Sequence, residues 1–238
     1  MKKNLADCQF HEGEMLLIDK PYGWTSFAVV AQLKRWTKAK IGHAGTLDPL
    51  ASGLMICCTG KKTKLLGNLL GLPKEYTGII RLGATTPTYD LESEPVPSGV
   101  STLPNEAAIR AQAVAMTGEL TQFPPVHSAL KQDGKPLYEL ARKGVDITVK
   151  SRTVQISAFD ITAIQGPEVH FRIACSSGTY IRSMANDFGA ALGCGGFLQA
   201  LCRTAIGEYR LEEAYTIDEM AAHYGSKFNA KIIVPKVF

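Results

Sequence analysis

Short apolar blocks separated by turn residues run along most of the chain, and their period changes from element to element. Met15 to Asp19 (MLLID) is an apolar run ended by Lys20-Pro21 and the turn YGW, the pattern of a short strand. Thr25 or Ser26 can cap a following helix, with Phe27, Val30 and Leu33 on its inner face and Lys34 and Arg35 toward solvent. LMICC (Leu54 to Cys58) reads as a buried strand, Lys61 to Leu70 as a helix with a basic first turn, and Lys74 to Thr86 as a further strand. Asn105 caps a helix running to Met116. Thr153 to Ile164 and Glu168 to Ser176 alternate about Gly166-Pro167 as a β-hairpin. Cys175 to Gly193 is a tight turn into a helix, with Gly178 or Thr179 near its cap. Gly195 to Leu211 supplies one more strand and Tyr215 to Tyr224 one more helix.

The hairpin makes the sheet at least partly antiparallel and disfavours a doubly wound nucleotide-binding sheet. The predicted class is α+β, a mixed α/β core with a mainly antiparallel sheet and flanking helices. Two stretches fall outside regular elements. Residues 87 to 104 hold four prolines and form a connector, and Phe123 to Gly144 is a basic excursion, with a short helix at Leu137 to Lys143, suited to closing over a polyanion.

At 238 residues the chain can bury roughly 70% of its unfolded surface, and 45% hydrophobic and 20% charged residues exclude a disordered or fibrous chain. The six cysteines, at 8, 57, 58, 175, 194 and 202, lack CxxC spacing and a histidine partner set, so the sequence predicts reduced thiols and no metal. The N-terminus does not resemble a signal peptide, and no apolar run reaches the roughly 18 residues that cross a bilayer, which together predict a cytoplasmic protein without membrane contact. The net charge of +4 is mild, but residues 31 to 64 carry seven cations (Lys34, Arg35, Lys38, Lys40, Lys61, Lys62, Lys64) against one acid, a local balance of +6. Such a patch can bind a phosphate backbone, or it can be a solvated charge run.

That single acid is Asp48, within IGHAGTLDPLASG (Ile41 to Gly53). Gly42 and Gly45 permit backbone angles or close approaches that a Cβ forbids, and Pro49 fixes its own φ and pushes Asp48 toward extended backbone. A carboxylate on a stiff segment in a positive field suits a nucleophile or base acting on an anionic substrate. The same residue could equally be a turn-capping aspartate. Dinucleotide fingerprints, Walker loops, H-E-x-x-H and a nucleophile elbow are all absent, which removes support for nucleotide-binding, phosphoryl-transfer, simple metalloprotease and serine-hydrolase readings.

GHAGTLDPLASG, with MLLIDKPYGWTS (Met15 to Ser26) upstream of it, resembles the signature segments of the TruB-type family of tRNA pseudouridine synthases, and the likeness extends from Met15 to about Gly207. The resemblance implies a single pseudouridine synthase catalytic domain over 1 to 238, with a thumb-like insertion at about 123 to 150 and no separate C-terminal RNA-binding domain in the 28 residues after Arg210. It implies isomerisation of a uridine in the tRNA T loop by nucleophilic Asp48, without a cofactor and without an obligate protein partner. Tyr76, in the KxYxxxxxLG context, would stack on the uracil, and Arg182 of GTYIR would orient Asp48 and pair with it or with Asp90. His43, Tyr180 and Leu201 complete the implied nucleotide pocket, while Lys20, Lys61, Lys62, Lys64, His127 and Lys131 are implied RNA backbone contacts. The chain departs from the family pattern in having His127 for a tyrosine, Ser177 for a lysine and Cys202 for an arginine. Two other readings share the residues: a guide-RNA-dependent enzyme of the same superfamily, and a tRNA-binding or tRNA-folding protein without catalysis.

Overall fold

The computed structural model describes residues 2–125, 131–132, 135–136 and 150–225. The chain divides into two compact units, one taking residues up to Thr77 and from Leu201 onward, the other Gly78–Ala200.

In the first unit, Met15–Lys20 (β1) pairs antiparallel with Ala51–Thr59 (β3), and Ile41–His43 (β2) pairs antiparallel with β3. Gly196–Ile206 (β12) joins β3 in parallel through Leu201, Cys202 and Arg203, and Tyr209–Arg210 (β13) turns back on β12. The core here gathers Leu54, Ile56 and Cys58 of β3 with Ala44, Leu69, Ile206 and Ala214. Cys57 and Cys58 are both fully buried, burial pushes the Cys57 thiol up to about 12, and all six cysteines are free.

Between β1 and β2 lies the helix Ser26–Thr37 (α1), capped by Thr25 through Ala28 N–H as the sequence predicts. Its inner face differs from the expected one. Val29, Leu33 and Gln32 are buried while Phe27 is 78% exposed, because the helix meets the core one residue round from the apolar stripe that begins at Phe27. The basic stretch after β3 is a 3₁₀ segment, Gly60–Leu65, before the short helix Leu66–Gly71 (α2). Ile217–Tyr224 (α5) carries a full capping box, with Thr216 and Glu219 each satisfying the other's backbone N–H.

In the second unit the strand order is β12, Lys74–Leu82 (β4), Glu168–Cys175 (β11), Arg152–Gln165 (β10), Gly118–Gln122 (β7), with β4 and β12 contributing residues to both units. The expected hairpin is β10–β11, antiparallel, with register shifts after Ile156 and Ile161. The first shift moves the buried face from Val154 and Ile156 to Phe159, so the alternation read as clean is interrupted by a bulge. Phe159 then packs on Phe171 of β11 and on Phe188 of the helix Ile181–Ala191 (α4). Glu106–Ala115 (α3) starts from its Asn105 cap. Strand β7 has a polar composition, GELTQ, that gave no strand signal; pairing with β10 makes it one. The connector after β4 contains only the short pair Ala84–Thr85 (β5) and Val96–Pro97 (β6). Lys131–Gln132 (β8) and Lys135–Pro136 (β9) form a two-residue ribbon within the thumb-like segment, whose remainder, including His127 and the expected helix at Leu137 to Lys143, lies outside the described residues.

Candidate active site

Asp48 is half-buried in the turn between β2 and β3, closed by Ala51 N–H donating to the Asp48 carbonyl at 3.1 Å. The residues on either side are fixed by the segment between β1 and α1. The Ser26 hydroxyl accepts from Leu47 N–H at 2.8 Å and donates to the Leu47 carbonyl at 2.9 Å. The Pro49 carbonyl accepts from Gly23 N–H at 3.0 Å and from the Lys20 ammonium at 3.2 Å. The two family-like segments read separately in the sequence are therefore one structure, in which the first holds the second.

Lys20 corrects its sequence reading. It is wholly buried, so its ammonium is not a surface contact for RNA phosphates; it donates to the carbonyls of Trp24 (2.5 Å), Pro21 (3.1 Å) and Pro49 (3.2 Å). The reason is strand period: Leu16, Ile18 and Lys20 occupy the same inward face of β1. Burial lowers its pKa to about 8, with Asp48 opposing that shift and Arg203 adding to it.

Arg203 was not read from the sequence as a site residue. It is 1% exposed, donating from Nε to the Leu54 carbonyl at 2.7 Å and from Nη2 to the Gly45 carbonyl at 3.1 Å. Gly53, with φ of +102°, lets the turn pass over its backbone: a Cβ there would lie 2.4 Å from the Arg203 carbonyl oxygen. His43 on β2 places Nε2 3.2 Å from the Thr46 hydroxyl, and burial first, then the Arg203 charge, lowers its pKa and favours the neutral ring. Leu201 is half-buried opposite Ala51 in the β12–β3 register, and Tyr76 on β4 is 8% exposed. Both tyrosine and leucine thus sit on strands of the unit that carries Asp48, as does His43.

The basic patch is less positive than the count along the chain implies. Lys61 pairs with Glu12 at 2.7 Å and Lys62 with Glu14 at 3.8 Å, two acids supplied from the segment before β1. Both lysines remain exposed, as does Lys64, so their reach to a polyanion is kept while part of their charge is offset. Lys131 lies on β8, and its side chain falls outside the described residues, like His127.

The second unit brings Asp90 and Arg182 together. Arg182, on the first turn of α4, donates from Nη1 to the Thr88 carbonyl at 3.1 Å and places Nε 3.6 Å from Asp90 Oδ2, both side chains being 5% exposed. Asp90 Oδ1 accepts from Glu92 N–H at 3.0 Å, and Asp90 bridges Leu198 of β12. The preceding residue, Tyr89, holds a left-handed φ of +64°, a strained value for a non-glycine. Asp90 is thus a buried, fixed carboxylate that both closes a local turn through Glu92 and faces Arg182. Tyr180 is held at the start of α4 by Gln122, whose amide accepts from Tyr180 N–H at 2.8 Å and donates to its carbonyl at 3.0 Å, while the Arg152 guanidinium lies 5.2 Å from the Tyr180 ring centre. Gln122 also carried no signal in the sequence beyond its position at the end of a polar strand.

No helix among the described residues is long and apolar enough to cross a membrane, and no group of three or more His, Cys, Asp or Glu among them could hold a metal ion.

The profile described as TruB family pseudouridylate synthase (N terminal domain) matches residues 34–181, and that described as tRNA pseudouridylate synthase B C-terminal domain matches residues 182–233. The chain is 49% identical over 217 residues to the tRNA pseudouridine synthase B of Flavobacterium johnsoniae, covering 88% of this chain and 95% of that protein. It is 48% identical over 220 residues to that of Chloroherpeton thalassium, covering 90% and 91%. Among solved structures, a Cbf5-Nop10-Gar1 complex matches with a TM-score of 0.71 and 30% identity over 90% of this chain, which spans only 55% of the length of the chain it matches. With a family profile over more than half its residues and near-full-length relatives at almost half identity, the chain belongs to the TruB family of pseudouridylate synthases.

Proposed function

We infer that this chain is a tRNA pseudouridine synthase, an isomerase that converts uridine to pseudouridine in the T loop. The observation that carries the reading is Asp48: a half-buried carboxylate on a turn tied through both neighbouring residues, in a chain that aligns nearly end to end with proteins named tRNA pseudouridine synthase B.

A base stacked inside the T loop cannot reach a half-buried carboxylate, so the target nucleotide leaves its stack before chemistry. Asp48 then acts as nucleophile, at the base or at ribose C1′. The bond from N1 to C1′ breaks, the uracil turns, C5 bonds to C1′, the bond to Asp48 breaks to return its free carboxylate, and the proton lost from C5 is balanced by one gained at N1. No atom is added or removed overall. Tyr76 packs on the uracil, Leu201 lines the pocket, and a neutral His43 fills space or donates beside the flipped nucleotide. Arg182, steadied by Asp90, serves as a further substrate-binding cation, and Tyr180 as a further substrate-binding residue. Lys61, Lys62, Lys64, His127 and Lys131 serve the RNA backbone, where phosphate contacts dominate affinity.

The guide-dependent reading is less supported, because this chain covers 95% of a tRNA pseudouridine synthase B but 55% of the Cbf5-complex chain. Carbodiimide mapping of an unmodified tRNA transcript, incubated with protein alone, tests the proposal: a single pseudouridine in the T loop is expected, and a clean transcript overturns it. The isolated T arm retains the loop shape and unstacked bases by which such RNA is read, so its kcat/KM should lie within about a hundredfold of the whole transcript's. A larger deficit would place the decisive contacts outside the T arm.

A further inference from the structure

The largest fully buried side chain among the described residues is a cation that the catalytic proposal does not use, Arg203. A buried guanidinium is costly unless its donors are satisfied and its charge has a purpose. Its hydrogen bonds run to two main-chain carbonyls, Gly45 and Leu54, and its charge lowers the pKa of Lys20, of His43 and of the Cys57 thiol. A core arginine kept only for packing could be replaced by an apolar side chain at no loss, and often with a gain.

The two carbonyls are the informative feature. Gly45 precedes the Asp48 turn and Leu54 follows it, so one planar fork spans the segment that presents the carboxylate. The other ties reach only within that segment, Ser26 at Leu47 and Lys20 at Pro49. Those fix Asp48's neighbours; Arg203 fixes the separation between the turn's two ends. Its own backbone is registered against Gly53 through the parallel β12–β3 pairing, so the guanidinium and the strand below it hold the turn together.

We propose that Arg203 is a positioning residue for the isomerisation: by bridging the Gly45 and Leu54 carbonyls it holds the Asp48 turn at its reactive geometry, without itself touching the uridine. This rests on the proposed function and adds a residue that acts through Asp48. The bridge needs the arginine fork, because two acceptors on opposite sides of the turn must be met by separate nitrogens of one rigid group. A lysine supplies the charge from a single nitrogen, without the fork's separate, fixed donors.

The test compares wild type, Arg203→Met and Arg203→Lys in single-turnover pseudouridine formation at saturating T-arm RNA, with RNA affinity by filter binding and folding by thermal melting. Methionine is of similar length, apolar and suited to a buried site, so a folded variant is expected. The expected result is a loss of about a hundredfold in rate for Arg203→Met, of the order a misplacement near 1 Å produces, with RNA affinity within threefold of wild type and the protein folded at the assay temperature. Arg203→Lys should recover at most about a tenth of the wild-type rate. Three results overturn the inference: a folded Arg203→Met with wild-type rate, a full rescue by lysine, which would assign the effect to charge alone, or failure of both variants to fold, which would assign Arg203 to core stability. If wild type itself makes no pseudouridine, the failure lies in the proposed function and is seen as such in the same experiment.

Discussion

The hydroxyl of Ser26 meets both main-chain groups of Leu47, accepting from its N–H at 2.8 Å and donating to its carbonyl at 2.9 Å. One buried oxygen at the first turn of α1 thereby fixes the residue before Asp48, and a short hydroxyl is needed because the approach is to both sides of a single peptide. Ser26→Ala should lower stability by about 1–3 kcal/mol, the cost of stranding buried polar groups. It should lower the single-turnover rate by about tenfold or more through Asp48's placement. Denaturant melts and quench-flow assays at saturating RNA check the two numbers, and a stable variant with an unchanged rate would show that the turn holds itself.

Lys20 predicts a pH dependence with a definite sign. Its pKa is lowered from 10.5 to about 8, chiefly by burial. Below pH 8 the ammonium is charged in both folded and unfolded chains, at a cost to folding. Between about 8 and 10.5 the unfolded chain keeps the proton that the folded chain releases, so this cost is relieved as pH rises. Activity should move the other way, because a neutral amine no longer places positive charge near Asp48. The single-turnover rate is expected to fall through an inflection near pH 8, and Lys20→Met should give a lower rate without that inflection. A wild-type profile flat to pH 9 would separate Lys20 from the chemistry.

In the second unit, Gln122→Leu removes an amide that bonds both main-chain groups of Tyr180, leaving the N–H without that partner while the carbonyl still accepts from Met184 N–H at 3.1 Å. A loss of about 1–3 kcal/mol follows, the cost of one stranded donor. Gln122→Glu should be intermediate, since a carboxylate accepts from the N–H but cannot donate to the carbonyl. Equal stability of all three proteins would mean that water or a neighbour replaces the amide.

Most strands and helices were legible in the sequence because their signals are local: the Thr25 cap, the Asn105 cap, the Gly166-Pro167 turn between β10 and β11. The exceptions depend on partners distant in sequence. The polar GELTQ segment is a strand because β10 offers it a ladder, Phe27 is exposed because the core meets α1 on its Val29 and Leu33 side, and Phe159 faces inward because a bulge after Ile156 shifts the alternation. Lys20, implied by the resemblance as an RNA backbone contact, is buried because it shares the inward face of β1 with Leu16 and Ile18. Asp48 stood out through the motif around it. Arg203 and Gln122 did not, since a side chain that serves main-chain carbonyls leaves no pattern in composition or spacing.

The central claim is that Asp48 is the nucleophile of the isomerisation, and Asp48→Asn tests it most directly. The turn is held through the main chain at Gly45, Leu47, Pro49 and Leu54, so asparagine should fold and keep the same backbone while losing the charge and nucleophilicity of the carboxylate. In single-turnover assays with unmodified T-arm RNA, read by mass spectrometry of the digested product, the variant should bind RNA within about threefold of wild type and form no pseudouridine beyond the uncatalysed background, a rate loss of more than about 10⁴-fold, or above roughly 5.5 kcal/mol. A folded Asp48→Asn protein that binds RNA and still converts it within about a hundredfold of the wild-type rate would contradict the account.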